Sequence, residues 1–217
     1  MPVERELKYG IDREAAETLL RRRRLGPFSL GPAVVVNVTD RYFDTPDMRL
    51  LSRRYACRLR IQDGRAMATL KGMGGVTDGL HEREEIEIAL AEPLDPARWP
   101  DPLRTQIVRL ADGEPIRSLF DLAQIRRQRS VRMAGVTVAV MTVDDVNVRA
   151  AHHTWRWQEL EVELAPDGTL QDLHALRALL QDVPGLRAAE ESKFERVLRW
   201  LGREDDDGPE ISRDPGR

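Results

Sequence analysis

The sequence predicts an α+β fold: an antiparallel β-barrel with a charged lumen and helices packed on its outside. Three observations lead there. Several segments alternate strictly between charged and apolar residues, the period of a strand with two unlike faces. Their charged faces are almost purely Glu and Arg, and the same sign often recurs at positions i and i+2. Amphipathic patterns at 13–25, 170–182 and 190–202 supply helices to cover an apolar exterior.

Residues 3–9 open the chain as a strand, with Glu4, Glu6 and Lys8 on one face and Val3 and Leu7 on the other. Asp12 suits a helix N-cap, and Gly26 stops the helix over 13–25. Residues 33–43 are β-branched and aromatic and read as a strand. Thr45-Pro46-Asp47 makes a turn. Residues 55–62 and 66–71 form a hairpin about Asp63-Gly64, in which Arg58 and Arg60 oppose Cys57, Leu59 and Ile61. A Gly-rich loop over 72–79 leads to a strand at 81–90, where Arg83, Glu85 and Glu87 oppose Ile86 and Ile88. Residues 92–113 are rich in Pro and Asp, with a short helix near 102–111. Pro115 favours the start of a further helix over 115–124. Residues 125–133 and 136–148 form a second hairpin turning at Ala134-Gly135. Arg127 and Arg129 share one face there, although Val131 lies on it too. In the last strand, 154–164, Glu159, Glu161 and Glu163 oppose Leu160, Val162 and Leu164. Helices at 170–182 and 190–202 are separated by Pro184-Gly185. The polar stretch 203–217 reads as a disordered tail, which leaves residues 1–202 as one domain.

Any single alternating strand is most often half-solvated, its charged face in water. A solvated face usually mixes Lys, Glu, Ser, Thr and Gln, and these faces do not. Adjacent like charges repel unless opposite charge stands between them. Glu-rich and Arg-rich strands facing one another across a lumen supply that charge, and closing the sheet removes its exposed edges.

The 34 basic and 37 acidic residues nearly cancel, so the basic excess of a nucleic-acid binder is missing. Cys57 is the single cysteine, which excludes an internal disulfide and fits a reducing compartment. No apolar run is long enough to span a bilayer, and the charged N-terminus lacks the apolar core of a signal peptide. The expected location is the cytoplasm, with neither nucleic acid nor membrane as partner.

A lumen carrying Arg58, Arg60, Lys71, Arg83, Arg127, Arg129 and Lys193 would bind a small polyanion, because the guanidinium fork matches phosphate oxygens. The glutamates would repel that ligand unless they hold Mg2+ or Mn2+, hard cations that take carboxylate and phosphate oxygens together. His152-His153 is a lone pair beside a turn and makes no zinc site. Phosphoryl transfer to water fits this set.

The ordered motifs resemble the CYTH superfamily, the triphosphate tunnel metalloenzymes. Glu4-Arg5-Glu6-Leu7-Lys8 is similar to its ExExK signature and Tyr42-Phe43-Asp44-Thr45-Pro46 to its YFDTP segment. Arg58-Leu59-Arg60, Thr69-Leu70-Lys71-Gly72 and Arg83-Glu84-Glu85-Ile86-Glu87 resemble its RxR, lysine and RxExE strands. Asp144, Glu159-Leu160-Glu161-Val162-Glu163 and Ser192-Lys193-Phe194 complete the order, over residues 3–200. The resemblance implies an eight-stranded antiparallel tunnel with divalent-metal-dependent activity on triphosphates. It implies Glu4, Glu6, Asp144, Glu159 and Glu161 as metal ligands or water activators. Arg58, Arg60, Lys71, Arg83, Arg127, Arg129 and Lys193 would hold phosphates, and Lys8 would contact phosphate or orient the attacking water. Glu4, Glu6, Lys8 and Lys71 form the expected catalytic set, with Glu85, Glu87 and Glu163 as further tunnel acids. Arg126, Arg127 and Arg129 compete for one arginine position, and parity favours Arg127 and Arg129.

The expected activity is hydrolysis of inorganic triphosphate by a monomer or homodimer. The alternatives are a thiamine-triphosphatase, an adenylyl cyclase, or a non-catalytic polyphosphate-binding module. The first two need a pocket for thiazolium or adenine, and no aromatic cluster stands out in the sequence to form one. The third could dispense with the metal-binding carboxylates, so Glu4, Glu6, Glu159 and Glu161 favour an enzyme.

Overall fold

In the computed structural model, residues 3–77, 80–93, 95–150 and 153–202 are described. His152 and the tail expected over 203–217 lie outside them. The elements run β1 (Val3–Ile11), α1 (Arg13–Arg21), β2 (Arg24–Leu25), β3 (Phe28–Leu30), β4 (Val34–Asp44), α2 (Arg49–Ser52), β5 (Tyr55–Gln62), β6 (Arg65–Gly72), β7 (Gly75–Thr77) and β8 (Leu80–Leu90). A 3-10 turn (Pro96–Arg98) then precedes α3 (Leu103–Leu110), β9 (Arg117–Met133), β10 (Val136–Ala150), β11 (His153–Leu164), α4 (Leu170–Gln181), β12 (Leu186–Ala188) and α5 (Lys193–Leu201).

Eight strands close into an antiparallel barrel in the order β1-β8-β6-β5-β4-β9-β10-β11, with β11 returning to β1. The fold is α+β, as the alternation and the helical patterns predict. Residues paired across a ladder share a face, so the registers trace the lumen around the ring. Glu4 is opposite Arg83, Lys71 opposite Glu85, Arg58 opposite Thr69, and Asp40 opposite Arg60. Asp144 is opposite both Arg126 and Glu159, and Lys8 is opposite Glu161. The sequence-level faces of β1, β5, β8 and β11 all turn inward as expected.

The apolar faces turn outward onto helices. Leu7 and Tyr9 of β1, Met141 and Val143 of β10, and Leu160 and Val162 of β11 pack against Ala15, Ala16 and Leu19 of α1 and Leu173, Leu176 and Leu180 of α4. On the other flank Cys57, Leu59, Ala68 and Leu70 meet Leu50 of α2, Trp99, and Leu103 and Ile107 of α3. Cys57 is buried there, and burial pushes its thiol up, as an inert core residue requires. Among the described residues no helix is long and apolar enough to cross a membrane.

Three expectations are corrected. Residues 115–124 are not helical: from Arg117 onward they form the first half of β9, with Phe120, Leu122 and Gln124 buried between exposed Asp121, Ala123 and Ile125. That is period two, and it outweighs the helix-start preference of Pro115. The first helix ends at Arg21, and Gly26 (φ 54°) serves the turn between β2 and β3 instead. Finally, α5 does not cover the outside. It lies over one end of the lumen, where Phe194 and Val197 pack with Tyr42, Phe120, Leu122, Val146 and Val148.

Arg129 faces outward and is 5% exposed. Its guanidinium donates to the carbonyls of Leu19 (2.8 Å) and Leu20 (3.0 Å) at the end of α1, and of Gly31 (2.7 Å) and Leu30 (3.3 Å). The helix end thus has its orphan acceptors satisfied by a side chain. Arg129→Met is expected to cost about 2–4 kcal/mol, since four buried carbonyls lose a charged donor. Urea unfolding midpoints would check this, with activity per folded molecule unchanged.

Candidate active site

The YFDTP segment builds the wall beside the lumen rather than its chemistry. Asp44, fully buried, accepts hydrogen bonds from the backbone N–H groups of Thr45 (2.7 Å), Leu50 (2.9 Å) and Leu51 (2.9 Å) and so fixes the start of α2. Two residues before Tyr42 on the same face, Asp40 is 0% exposed. It takes two hydrogen bonds from Arg60 (2.8 Å each) and one from Gln124 (2.8 Å). Burial alone would raise its carboxyl, but Arg60 and Arg58 outweigh that and hold it down at about 2. This carboxylate therefore stabilises the fold above its unfolded pKa, and the contribution fades as pH falls from about 4 to about 2. Asp40→Asn is expected to cost about 3–5 kcal/mol at neutral pH and to remove that acid-limb loss, as denaturation measured against pH would register.

One cavity is lined by seven cations (Lys8, Arg58, Arg60, Lys71, Arg83, Arg126 and Lys193) and only four carboxylates (Glu4, Glu6, Glu161 and Glu163). Glu6 lies 3.0 Å from Arg83 and 3.4 Å from Lys8, and Lys71 contacts Glu4. Burial would raise the Glu6 carboxyl, yet Lys8, Lys71 and Arg83 hold it at about 2. Burial and Glu6 push the Glu4 carboxyl up instead. Glu163, at the exposed rim, is pushed up to about 7 by burial against the wall and by Glu4 and Glu6. Glu85 and Glu87 share the inward face but stand outside the cavity lining, and Glu87 accepts from Thr69 at 3.3 Å.

Arg58 differs from its neighbours. Its nearest partners are distant, Thr69 at 3.4 Å and Asp40 at 3.7 Å, and its buried Nε has no acceptor. Deeper in, oxygens of Asp144, Glu159 and Glu161 lie within 4.8 Å of one another. The Lys193 ammonium sits among them, 2.9 Å from Asp144, 2.6 Å from Glu159 and 2.8 Å from Glu161. Arg126 braces the same group with two hydrogen bonds to Asp144 (2.9 and 2.8 Å) and one to Glu161 (2.8 Å). Lys8 reaches Glu161 at 3.0 Å. Burial would raise the Glu161 carboxyl, but Lys193, Lys8 and Arg126 keep it well below the usual carboxylate range. Burial would likewise lower Lys8, but Glu161, Glu6 and Glu159 raise it, so it stays charged. The donors of the triad are all hard oxygens, a set that can hold a divalent metal, which would take the place that the Lys193 ammonium fills.

The structure therefore brings Glu4, Glu6, Lys8, Arg58, Arg60, Lys71, Arg83, Glu161, Glu163 and Lys193 to one cavity, with Asp144 and Glu159 buried behind it. Arg127 and Arg129 are not there. Arg127 turns outward to pair with Asp145, Arg129 holds the end of α1, and Arg126 takes the inward position. Sequence reasoning also missed Asp40, and an aromatic group: Tyr42 and Phe194 line the cavity, stacked at 5.1 Å, with Phe120 5.0 Å from Tyr42. Asp40 could have been found from its parity with Tyr42. No sequence signal links three rings drawn from β4, β9 and α5.

The sequence model of the CYTH domain matches residues 3–198. Solved structures resemble this one at low identity. One is HpAC1 from Hippeastrum, a candidate adenylyl cyclase described with a dominant triphosphatase activity, at 20% identity, TM-score 0.63 and coverage of 90% of this chain and 95% of that one. A candidate adenylate cyclase from Bacillus halodurans matches at 18% identity, TM-score 0.60, over 90% and 98%. The PH1819 protein from Pyrococcus horikoshii matches at 18% identity, TM-score 0.57, over 89% and 98%. At these identities the structures establish the shared fold.

Proposed function

Because this chain belongs to the CYTH domain family, we propose that it hydrolyses inorganic triphosphate to pyrophosphate and phosphate with Mg2+ or Mn2+. The observation that carries this reading is the convergence of seven cations on one cavity, with the buried Nε of Arg58 left without an acceptor. Cations gathered in a barrel interior of low local dielectric hold the oxygens of a small polyanion more tightly than exposed cations would, and a divalent metal would balance the acids among them.

In this reading Arg58, Arg60, Lys71 and Arg83 receive phosphoryl oxygens along one wall. Arg58 is the most available of them, with a free Nε and only long contacts. Lys8, kept charged by its acidic neighbours, donates to the substrate or to the attacking water. Glu4, whose carboxyl is pushed up, is suited to accept the proton as water attacks in line. Asp144, Glu159 and Glu161 would hold the metal, which supplies Lewis acidity toward the phosphate when bound. Arg126 orients two of those three carboxylates.

The stacked rings of Tyr42 and Phe194 beside Arg58 are the one feature that favours an organic leaving group such as adenosine or thiamine. Their faces are already spent on each other and on Phe120, and they are at most 5% exposed. Inorganic triphosphate needs no such face. The deciding experiment is phosphate release from triphosphate, ATP, thiamine triphosphate, pyrophosphate and long-chain polyphosphate, with Mg2+, Mn2+ or chelator. Release from triphosphate, lost with chelator, is expected. No release from any substrate, together with metal-independent polyphosphate binding, would turn the reading into a binding module.

A further inference from the structure

His81 is 1% exposed and stands opposite Glu6 on the inward face of β8. Both ring nitrogens are engaged. Nε2 lies 2.8 Å from the carbonyl of Ala189, and Nδ1 meets the Arg83 guanidinium. A carbonyl can only accept and a guanidinium can only donate. The proton must therefore sit on Nε2 and the lone pair on Nδ1. Burial, with Arg83 and Lys8 nearby, pushes the imidazole down to about 4, so it is neutral at ordinary pH.

The same Arg83 nitrogen also donates to Glu6 at 3.0 Å. That nitrogen is thereby filled, and the rest of the fork is left to the cavity, which Arg83 lines. An imidazole orients the guanidinium without cancelling its charge, which a second carboxylate at this position would do. The other end of the ring fixes the approach to α5. Ala189 donates its N–H to the carbonyl of Lys8 at 2.9 Å and gives its carbonyl to His81. The segment leading to Ser192 and Lys193 leaves the β12–β1 ladder at Ala188 and is tied to β8 at Ala189.

We propose that His81 is a positioning residue: it aims Arg83 at a phosphoryl oxygen of the substrate and ties that aim to the seat of Ser192 and Lys193. This rests on the reading of the cavity as a triphosphate site. His81→Leu removes both contacts. His81→Asn keeps an acceptor near the place of Nδ1, and His81→Gln keeps a donor near the place of Nε2. Triphosphate binding by calorimetry and steady-state turnover are measured for each, for Arg83→Met, and for the double variant His81→Leu/Arg83→Met. His81→Leu is expected to weaken binding and raise KM about tenfold, the scale of one hydrogen bond to a charged group. His81→Asn should recover most of this, and the double variant should bind no worse than Arg83→Met alone. Losses that add in the double variant, or a His81→Leu protein that melts lower but binds normally once folded, would overturn the proposal. If the wild-type protein binds triphosphate with this pattern yet does not hydrolyse it, the hydrolytic reading fails and the role of His81 stands. If it binds no triphosphate, both fall.

Discussion

Glu161→Gln is expected to lower kcat/KM for triphosphate by about a thousandfold or more, on the scale of losing one preorganised charge at a transferring phosphoryl group. Glu161 holds three cations at short range: Lys8 at 3.0 Å, Lys193 at 2.8 Å and Arg126 at 2.8 Å. It is also one of the three carboxylates clustered closely enough to hold a metal. The amide keeps the shape and removes the charge, so the seat loses a hard ligand and the three cations lose their common anchor. Circular dichroism would verify the fold, and calorimetric Mn2+ binding should weaken in parallel with turnover. A variant with normal turnover would exclude Glu161 from the metal seat.

Arg58→Met is expected to reduce kcat/KM to a similar degree, about a thousandfold, the lower range for an arginine that meets transition-state charge on phosphate. Arg58 is the reverse of Arg60. Arg60 spends its fork on Asp40, so removing it strands a buried carboxylate. Arg58 holds nothing tightly: its Nε is unpartnered and its other contacts are 3.4 and 3.7 Å long. Its loss should therefore leave thermal stability close to that of the wild type while activity collapses. Arg58→Lys should restore charge without the fork and recover part of kcat/KM. Kinetics and melting measured on the same samples separate the two effects. A large drop in stability with normal turnover of the folded fraction would make Arg58 a structural residue.

Much of this site was legible from alternation alone. Glu4, Glu6, Lys8, Arg58, Arg60, Arg83 and Glu161 each sit on a strand whose opposite face is apolar, and that face meets a helix. Parity failed on β9 for a physical reason. Toward its start the inward residues are apolar, Phe120 and Leu122, because α5 blocks the lumen there. Farther along, the outward face carries Arg129, because the end of α1 needs donors. Charge and apolarity thus exchange sides along one strand, and a rule that equates charge with the lumen chooses Arg127 and Arg129 over Arg126. The helix expected at 115–124 fails for a related reason, since the partners that fix Phe120 come from β4 and α5. Ion-pair choice was not legible at all. Nothing in the order of residues says that Lys193 would stand among Asp144, Glu159 and Glu161, or that His81 would reach Ala189.

The closure of the barrel has a consequence in time. β1 precedes the other barrel strands in the chain, and its two barrel neighbours are β8 and β11, with Glu6 facing His81 on one side and Glu163 on the other. Joining the first strand to the last closes a loop of most of the chain, an entropic cost met only when β11 is in place. Until then both the charged and the apolar faces of β1 wait for partners, and α5 has no lumen to close. Long-range pairing of this kind places folding among the slow topologies, on the order of milliseconds to seconds. The charged cavity is therefore among the last parts of the molecule to exist, assembled only when its earliest and latest strands meet.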